Sequence, residues 1–275
     1  MSGWQLTLKQ RPALRVDMRS VSPADFAERS AAAVAGHTVH HGNEELALGE
    51  LFAIAPHTDG ELHFDGDLSR FDRLGWQLAA GTLRVEGAVG DYFGAGMSGG
   101  EVVASGSAGL LAACEMSGGR LEIGGDVGDY AASALPGSMD GMRGGTLLVR
   151  GSAGARFGDR MRRGSALVFG SVGDFAASRM VAGTIAVAGT IGAHPGYGMR
   201  RGTLLAVGPA PAVPPTFVGN NVDIGVFWQL ISRDLARHGG AFASLPQRRP
   251  ARFLGDLAAG GKGEEDGAAG AVVDG

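Results

Sequence analysis

The chain has 275 residues, of which 44% are hydrophobic and only 7% aromatic, with 49 glycines, one cysteine and a formal net charge of −4. A single cysteine, Cys114, excludes an internal disulfide and any cysteine-rich zinc or iron–sulfur centre. An acidic chain whose aromatics do not interleave with its arginines argues against nucleic acid as a partner. No apolar run approaches the roughly 20 residues that cross a membrane, and the opening MSGWQLTLKQR lacks a signal-peptide apolar core. The expectation is a cytoplasmic protein that does not bind membranes.

Residues 4–8 alternate and predict a strand. Ser22-Pro23 is a good N-cap and first-turn pair for an alanine-rich helix over 23–35, closed by Gly36. Residues 37–60 predict strand and loop, with Gly42-Asn43 as a turn and Leu48–Phe52 as a lead-in. From Leu62 the chain repeats itself. The unit L-x-V-x-G begins again at Leu83, Val102, Leu121, Leu147, Ala166, Ile185 and Leu204; five of these six steps are nineteen residues, and the step from Leu121 to Leu147 is twenty-six. Pro209–Pro215 ends the repeats. Residues 226–238 predict a helix that caps or flanks the last coil, with Phe227, Leu230, Ile231 and Leu235 on one face. Residues 259–275 are small and acidic and are expected to be disordered. Four segments follow: an N-terminal strand and helix segment (1–60), the repeats (61–208), a C-terminal helix and cap (209–258) and the tail (259–275).

A fixed short period with glycine at fixed places marks a solenoid. The apolar pair of each unit points inward, and parallel stacking sets like residues of successive coils side by side. Two glycine rows (66 to 208 and 90 to 192) fit corners that need positive φ or a missing side chain. Met97, Met116, Met142, Met161, Met180 and Met199 form a third row, suited to filling irregular gaps. The fold expected is mainly β: a parallel β-helix of about eight coils with flanking helices.

Charge is unevenly spread. Residues 83–130 hold seven acids against Arg84 and Arg120, and residues 143–201 hold nine arginines against Asp159 and Asp174. Alignment of the repeats places Arg143, Arg162 and Arg200 in one row, Arg160 and Arg179 in another, and Arg163 and Arg201 in a third. These rows predict one basic ridge along four coils. Stacked like charges repel, so either solvent or an anionic partner should occupy it.

Other candidates are weaker. His37, His40 and His41 cluster, but no further ligand accompanies them, so no metal site is assigned to this chain. Asp91, Asp129 and Asp174 recur in Gly-Asp-(Tyr/Phe), and backbone-bonded turns suit them better than calcium, which wants six or more oxygens. Cys114 has no neighbouring cation and is expected to be buried and inert. The insertion, with Leu135 and Met139, reads either as a contact loop or as a harmless bulge. No catalytic residues emerge.

Val89-Gly90-Asp91-Tyr92, the Met-x-Gly-Gly runs at 97–100 and 116–119, and Met142–Thr146 resemble the GXGXG repeat. That repeat occurs in the C-terminal domain of glutamate synthase and in the C subunit of formylmethanofuran dehydrogenase. The flanks Ser22–Phe26, Gly42–Phe52, Pro215–Phe217 and Leu230–Leu235 resemble the latter, so the resemblance runs from residue 4 to about 240. It implies a right-handed β-helix and a non-catalytic scaffold subunit of a formyltransferase/hydrolase complex. That complex moves a formyl group from tetrahydromethanopterin to a furan carrier, methylofuran or methanofuran, and releases formate. It also implies amidohydrolase-like, formyltransferase-like and molybdopterin-subunit-like partner chains, no cofactor in this chain, and metal in a partner subunit. For the arginines it adds a glutamate-bearing tail of the furan carrier as an occupant, beside an acidic partner chain and solvent. Two related readings stand beside it. One is the C subunit of a molybdenum or tungsten formylmethanofuran dehydrogenase, from which an alanine-, arginine- and glycine-rich composition leans away. The other is a structural domain of glutamate-synthase type, whose amidotransfer and synthase domains this chain lacks. A β-helix acyltransferase would run on hexapeptide steps, and nineteen is not a multiple of six.

Overall fold

The computed structural model of the chain describes residues 3–220 and 224–260. In chain order the elements are β1 (Gly3–Leu8), β2 (Val16–Asp17), α1 (Pro23–Phe26), α2 (Ala31–Ala35), β3 (Thr38–His41), β4 (Glu44–Ala47), α3 (Leu48–Leu51), β5 (Phe52–His57), β6 (Leu62–Asp65), β7 (Phe71–Asp72), β8 (Thr82–Glu86), β9 (Ser98–Ala104), β10 (Ser117–Ile123), β11 (Arg143–Val149), β12 (Arg163–Val168), β13 (Thr184–Val187), β14 (Thr203–Ala206), β15 (Val218–Gly219), α4 (Gly225–Ala236) and β16 (Phe253–Leu254).

One sheet runs β14-β13-β12-β11-β10-β9-β8-β6-β1-β5. From β6 to β14 it is parallel, and its register is the sequence repeat itself. Leu62 faces Leu83, Leu83 faces Val102, Val102 faces Leu121, Leu121 faces Leu147, and so on to Ile185 with Leu204. The seven extra residues before Leu147 leave that pairing in register. A second column of single bridges links Leu68, Val89, Ala108, Val127, Ala153, Val172 and Ile191. The chain is therefore a β-solenoid of about eight turns. Its interior holds the inward rows and all six aligned methionines, each fully buried. Each inward Leu, Ile or Val stabilises the stack by about 1.5–3 kcal/mol relative to exposure.

Both glycine rows are set mainly by close approach of the neighbouring coil. At Gly109 and Gly154 φ is ordinary, but an added Cβ would lie 2.1 Å from a carboxylate oxygen of Asp91 or Asp129. Those carboxylates reach across to the next coil: Asp91 Oδ1 accepts from Leu110 N–H at 2.9 Å, Asp129 Oδ1 from Ala155 N–H at 2.8 Å and Asp174 Oδ1 from Ala193 N–H at 2.7 Å. The aspartates thus bond the backbone, as expected, but they join coils instead of closing their own turns. Left-handed backbone occurs in the first row at Gly66 (φ +128°) and Gly87 (φ +147°), at the second glycine of Met-x-Gly-Gly, as at Gly119 (φ +81°), and at non-glycine residues such as Tyr92 and Leu111.

The N-terminal segment closes one end. β1 lies between β6 and β5, parallel to the first and antiparallel to the second. The helix expected over 23–35 is two short ones, because Ser30 caps a new start by accepting from Ala33 N–H. Trp4 Nε1–H donates to Phe26 O at 2.9 Å and ties α1 to β1. At the other end Phe217 and the Pro211–Pro214 run pack beneath Met199 and Leu204.

α4 does not sit on the end of the stack. It lies along the outer face of the sheet, where Leu148, Leu167, Ala186 and Leu205 of four successive strands form a buried cluster with Trp228, Leu235, Phe242 and Leu245. The packed face is Trp228, Ile231, Ser232 and Leu235; Phe227 and Leu230 point outward, at 38% and 68% exposure. The indole of Trp228 decides this orientation, since it has the largest area to bury and its N–H finds Arg248 O at 2.8 Å. Of the tail expected to be disordered over 259–275, Ala259 and Gly260 are described and end a short turn, and the rest lies outside the described residues.

Candidate functional site

The arginine rows occupy the corner just after the buried methionines, where the chain re-enters the sheet. Arg143 and Arg163 open β11 and β12 and are register partners. The sequence alignment instead pairs Arg143 with Arg162. The difference is a bulge: both Arg162 N–H and Arg163 N–H donate to Met142 O, at 2.8 and 3.2 Å, so two residues oppose one. Arg200 and Arg201 follow Met199 two coils farther on. The coil between carries Val181 and Ala182 at the same corner. Coils stack roughly 4.8 Å apart, so this small-residue step lies between two arginine walls. The result is a groove of about 640 Å³ lined by Arg143, Arg162, Arg163, Val181, Ala182, Arg200, Arg201 and Gly260.

Arg162 is paired with Asp140. Among the described residues no carboxylate lies within ion-pair distance of Arg143, Arg163, Arg200 or Arg201. Guanidinium forks held this way suit carboxylate or phosphate groups.

Arg160 and Arg179 do not join this groove. They precede Met161 and Met180, so they emerge on the other side of the methionine corner. Arg179 makes a two-pronged bond to the buried Asp159, at 2.9 and 2.6 Å, and Ser178 Oγ donates to the same carboxylate at 2.6 Å. Arg160 donates to Ser138 O at 3.3 Å. Together with Leu110, Tyr130, Leu135 and Pro136 they line a separate hollow of about 430 Å³ beside the inserted loop. In that loop Met139 is 70% exposed and Leu135 half-buried.

The remaining sequence candidates separate as well. His37 bonds Ser20 Oγ at 3.0 Å and meets the Phe26 ring edge-on, whereas His41 Nε2 accepts from Leu14 N–H at 3.0 Å. They share no ligand. Cys114 is enclosed, and burial pushes its thiol up to about 12, with only partial relief from Ser133.

A group that the sequence did not announce is His57, Asp59 and His63, whose ligand atoms all lie within 4.8 Å of one another. The histidines are six apart across a loop. What brings them together is β1, which pairs with both strands that carry them.

No protein-family model matches the chain. It is 35% identical over 102 residues to the C subunit of the tungsten-containing formylmethanofuran dehydrogenase 2 of Methanothermobacter wolfeii, covering 35% of this chain and 37% of that relative. It is 44% identical over 76 residues to the Fhc C subunit of the formyltransferase/hydrolase complex of Methylorubrum extorquens, covering 28% and 29% of the two chains. The matched segments thus span only 37% and 29% of these curated relatives. The structural match is far more extensive. A chain in the crystal structure of the formyltransferase/hydrolase complex (FhcABCD) from Methylorubrum extorquens, in complex with methylofuran, superposes with a TM-score of 0.88. That match has 39% identity and covers 98% of both chains. Identity at that level over nearly the whole length, with the repeat and both flanks included, places the chain in the family formed by the C subunits of formylmethanofuran dehydrogenase and of the Fhc complex.

Proposed function

We infer that this chain is the scaffold subunit of a formyltransferase/hydrolase complex. In this reading the complex moves a formyl group from tetrahydromethanopterin to a furan carrier and releases formate, and the chemistry resides on amidohydrolase-like and formyltransferase-like partners, one of which holds metal. The observation that carries this reading is the match across 98% of both chains to a member of a complex crystallised with methylofuran. The long rod supports it, because a solenoid offers a continuous surface on which several chains can be arranged.

The five-arginine groove is assigned to an anionic occupant, either an acidic segment of a neighbouring subunit or the glutamate-bearing tail of the carrier. The tungsten-enzyme reading has its own support in the identity with the Methanothermobacter wolfeii protein, but that match covers only 37% of the relative.

The test is a native pull-down of the tagged chain, with mass spectrometry and a formyl-carrier assay on the eluate. Recovery of amidohydrolase-like and formyltransferase-like chains with activity supports the scaffold; a metal-loaded molybdopterin subunit supports the tungsten-type assembly; a chain that elutes alone overturns both. Arg163→Glu combined with Arg201→Glu then examines the groove. Loss of subunits indicates an acidic chain in the groove. Loss of carrier alone indicates the tail. Retention of both removes the groove from the proposal.

A further inference from the structure

We propose that His57, Asp59 and His63 form a zinc-type divalent metal site on the outer face of the N-terminal end of the solenoid. His57 stands opposite Gly3 and His63 opposite Gln5, on the two strands that flank β1. Residues 3 and 5 share one face of a strand, so both imidazoles project from the same side of the sheet. Gly3 leaves the space between them clear. A Cβ there would meet Glu61 O at 2.5 Å and Asp59 Oδ1 at 3.0 Å, so the cradle depends on the missing side chain. The rings lie 4.3 Å apart, centroid to centroid, and each has a nitrogen close to one carboxylate. His57 Nδ1 is 2.8 Å from Asp59 Oδ1, and His63 Nε2 is 2.7 Å from Asp59 Oδ2.

Two observations favour a metal over a simple hydrogen-bonded trio. His57 Nδ1 is enclosed by protein, yet it makes no aligned hydrogen bond. Such a nitrogen is satisfied by a ligand that does not require a proton on the line between the atoms. The two nitrogen–carboxylate distances are also close to what coordination needs. Zinc bonds of about 2.0–2.1 Å in a tetrahedral arrangement set ligand atoms roughly 3.3 Å apart. The carboxylate oxygens need to withdraw by only about half an ångström, and Asp59, on a loop at 36% side-chain exposure, has room to do so.

The donor set selects the ion class. Two imidazoles and one carboxylate suit zinc, cobalt, nickel or copper, whereas calcium and magnesium demand oxygens. Glu61 Oε2 approaches His63 Nε2 to 3.6 Å but is held by Arg84 Nε at 2.5 Å, which keeps it from becoming a fourth ligand. The fourth position is left to water or to a group from a neighbouring molecule. This assignment is independent of the arginine groove and of the scaffold reading.

The test uses the untagged full chain, stripped with chelator and titrated with cobalt chloride, then with zinc chloride in competition. One equivalent of cobalt should bind with visible d–d absorption of low-symmetry coordination, and zinc should displace it. His63→Ala and Asp59→Asn should each weaken binding at least about tenfold, the least that loss of even a supporting partner costs such sites. Asp59→Asn retains the oxygen that accepts from Glu61 N–H, so the loop stays intact while the charge is lost. His40→Ala, on a different sheet, should bind as the parent does. Equal cobalt binding by parent and His63→Ala, or no saturable binding by the parent, overturns the site. Zinc should also raise the melting temperature of the parent and not of the His57→Ala, His63→Ala double variant; equal shifts would again overturn it.

Discussion

The outer face of the sheet is built in two ways along one rod. In the front coils the outward residues between the two apolar ones are His63, Arg84, Val103 and Glu122. They lie within an ionic ladder in which Glu61, Arg84, Glu101, Arg120, Glu122 and Arg150 meet in succession, with contacts from 2.5 to 4.0 Å. In the back coils the same positions are Leu148, Leu167, Ala186 and Leu205, buried under α4 and Phe242. Arg150 stands at the border, paired with Glu122 on one side and 4.4 Å above the Phe169 ring on the other. One backbone thus supports two kinds of surface. The front face keeps water, salt and partners within reach of its charges, and the back face is a second hydrophobic core outside the solenoid.

The contrast is broken most directly by truncating equivalent positions. Leu167→Ala should cost about 2–5 kcal/mol, because it leaves a cavity beneath α4. Val103→Ala, at the half-exposed front counterpart, should change stability by about 0.5 kcal/mol or less. Paired denaturant melts check this, and equal losses would mean that α4 adds nothing to the sheet beneath it.

The ladder calls for a subtler probe. Burial raises the Glu122 carboxyl, but hydrogen bonds from Arg150 and Arg120 outweigh it and hold the group below its ordinary value. A depressed carboxylate contributes stability above the ordinary value and loses it as the pH falls through the folded one. Glu122→Gln should therefore cost at most about 1 kcal/mol at neutral pH, since the arginines are more than a third exposed. The difference between parent and variant should shrink towards zero below the carboxylate range, and at about 1 M salt. Melting curves across pH and salt decide this; a gap that persists in acid would mean that the glutamate acts through packing.

The smallest effect concerns Cys114, enclosed within the front coils against Tyr130 and Ser133. With its thiol pushed up to about 12 by burial, alkylation at pH 8 should proceed only through opening of the surrounding coils. Its rate should rise with denaturant in step with loss of structure, and rapid labelling of the native chain would contradict the enclosure.

Much of this was legible from spacing. The inward rows, the methionine corner and the place of the insertion follow from a period of nineteen, because parallel stacking converts sequence repeat into spatial neighbourhood. The outward row was equally readable, since its switch from charge to Leu148 and Leu167 marks where a covering element must lie. Attention to the inward pair alone sets α4 at the end of the rod. The arginine ridge was legible only as an alignment. Its division depends on a buried side chain: Arg160 and Arg179 precede a methionine, the other five follow one, and that corner turns them to different faces. His57, Asp59 and His63 gave no signal of spacing, because their meeting depends on β1, more than fifty residues earlier, entering between their strands.

The helix laid across Leu148, Leu167, Ala186 and Leu205 also bears on how the rod comes apart. A stack whose turns touch only their neighbours can fray one turn at a time from either end. Here the last turn cannot peel away alone, because lifting it strips a strap shared with three others. Loss of order at that end is therefore a collective event involving four coils, while among the described residues the front coils have no such strap along their outer face. A rod made this way has one end that yields by degrees and another that holds until it gives way as a block.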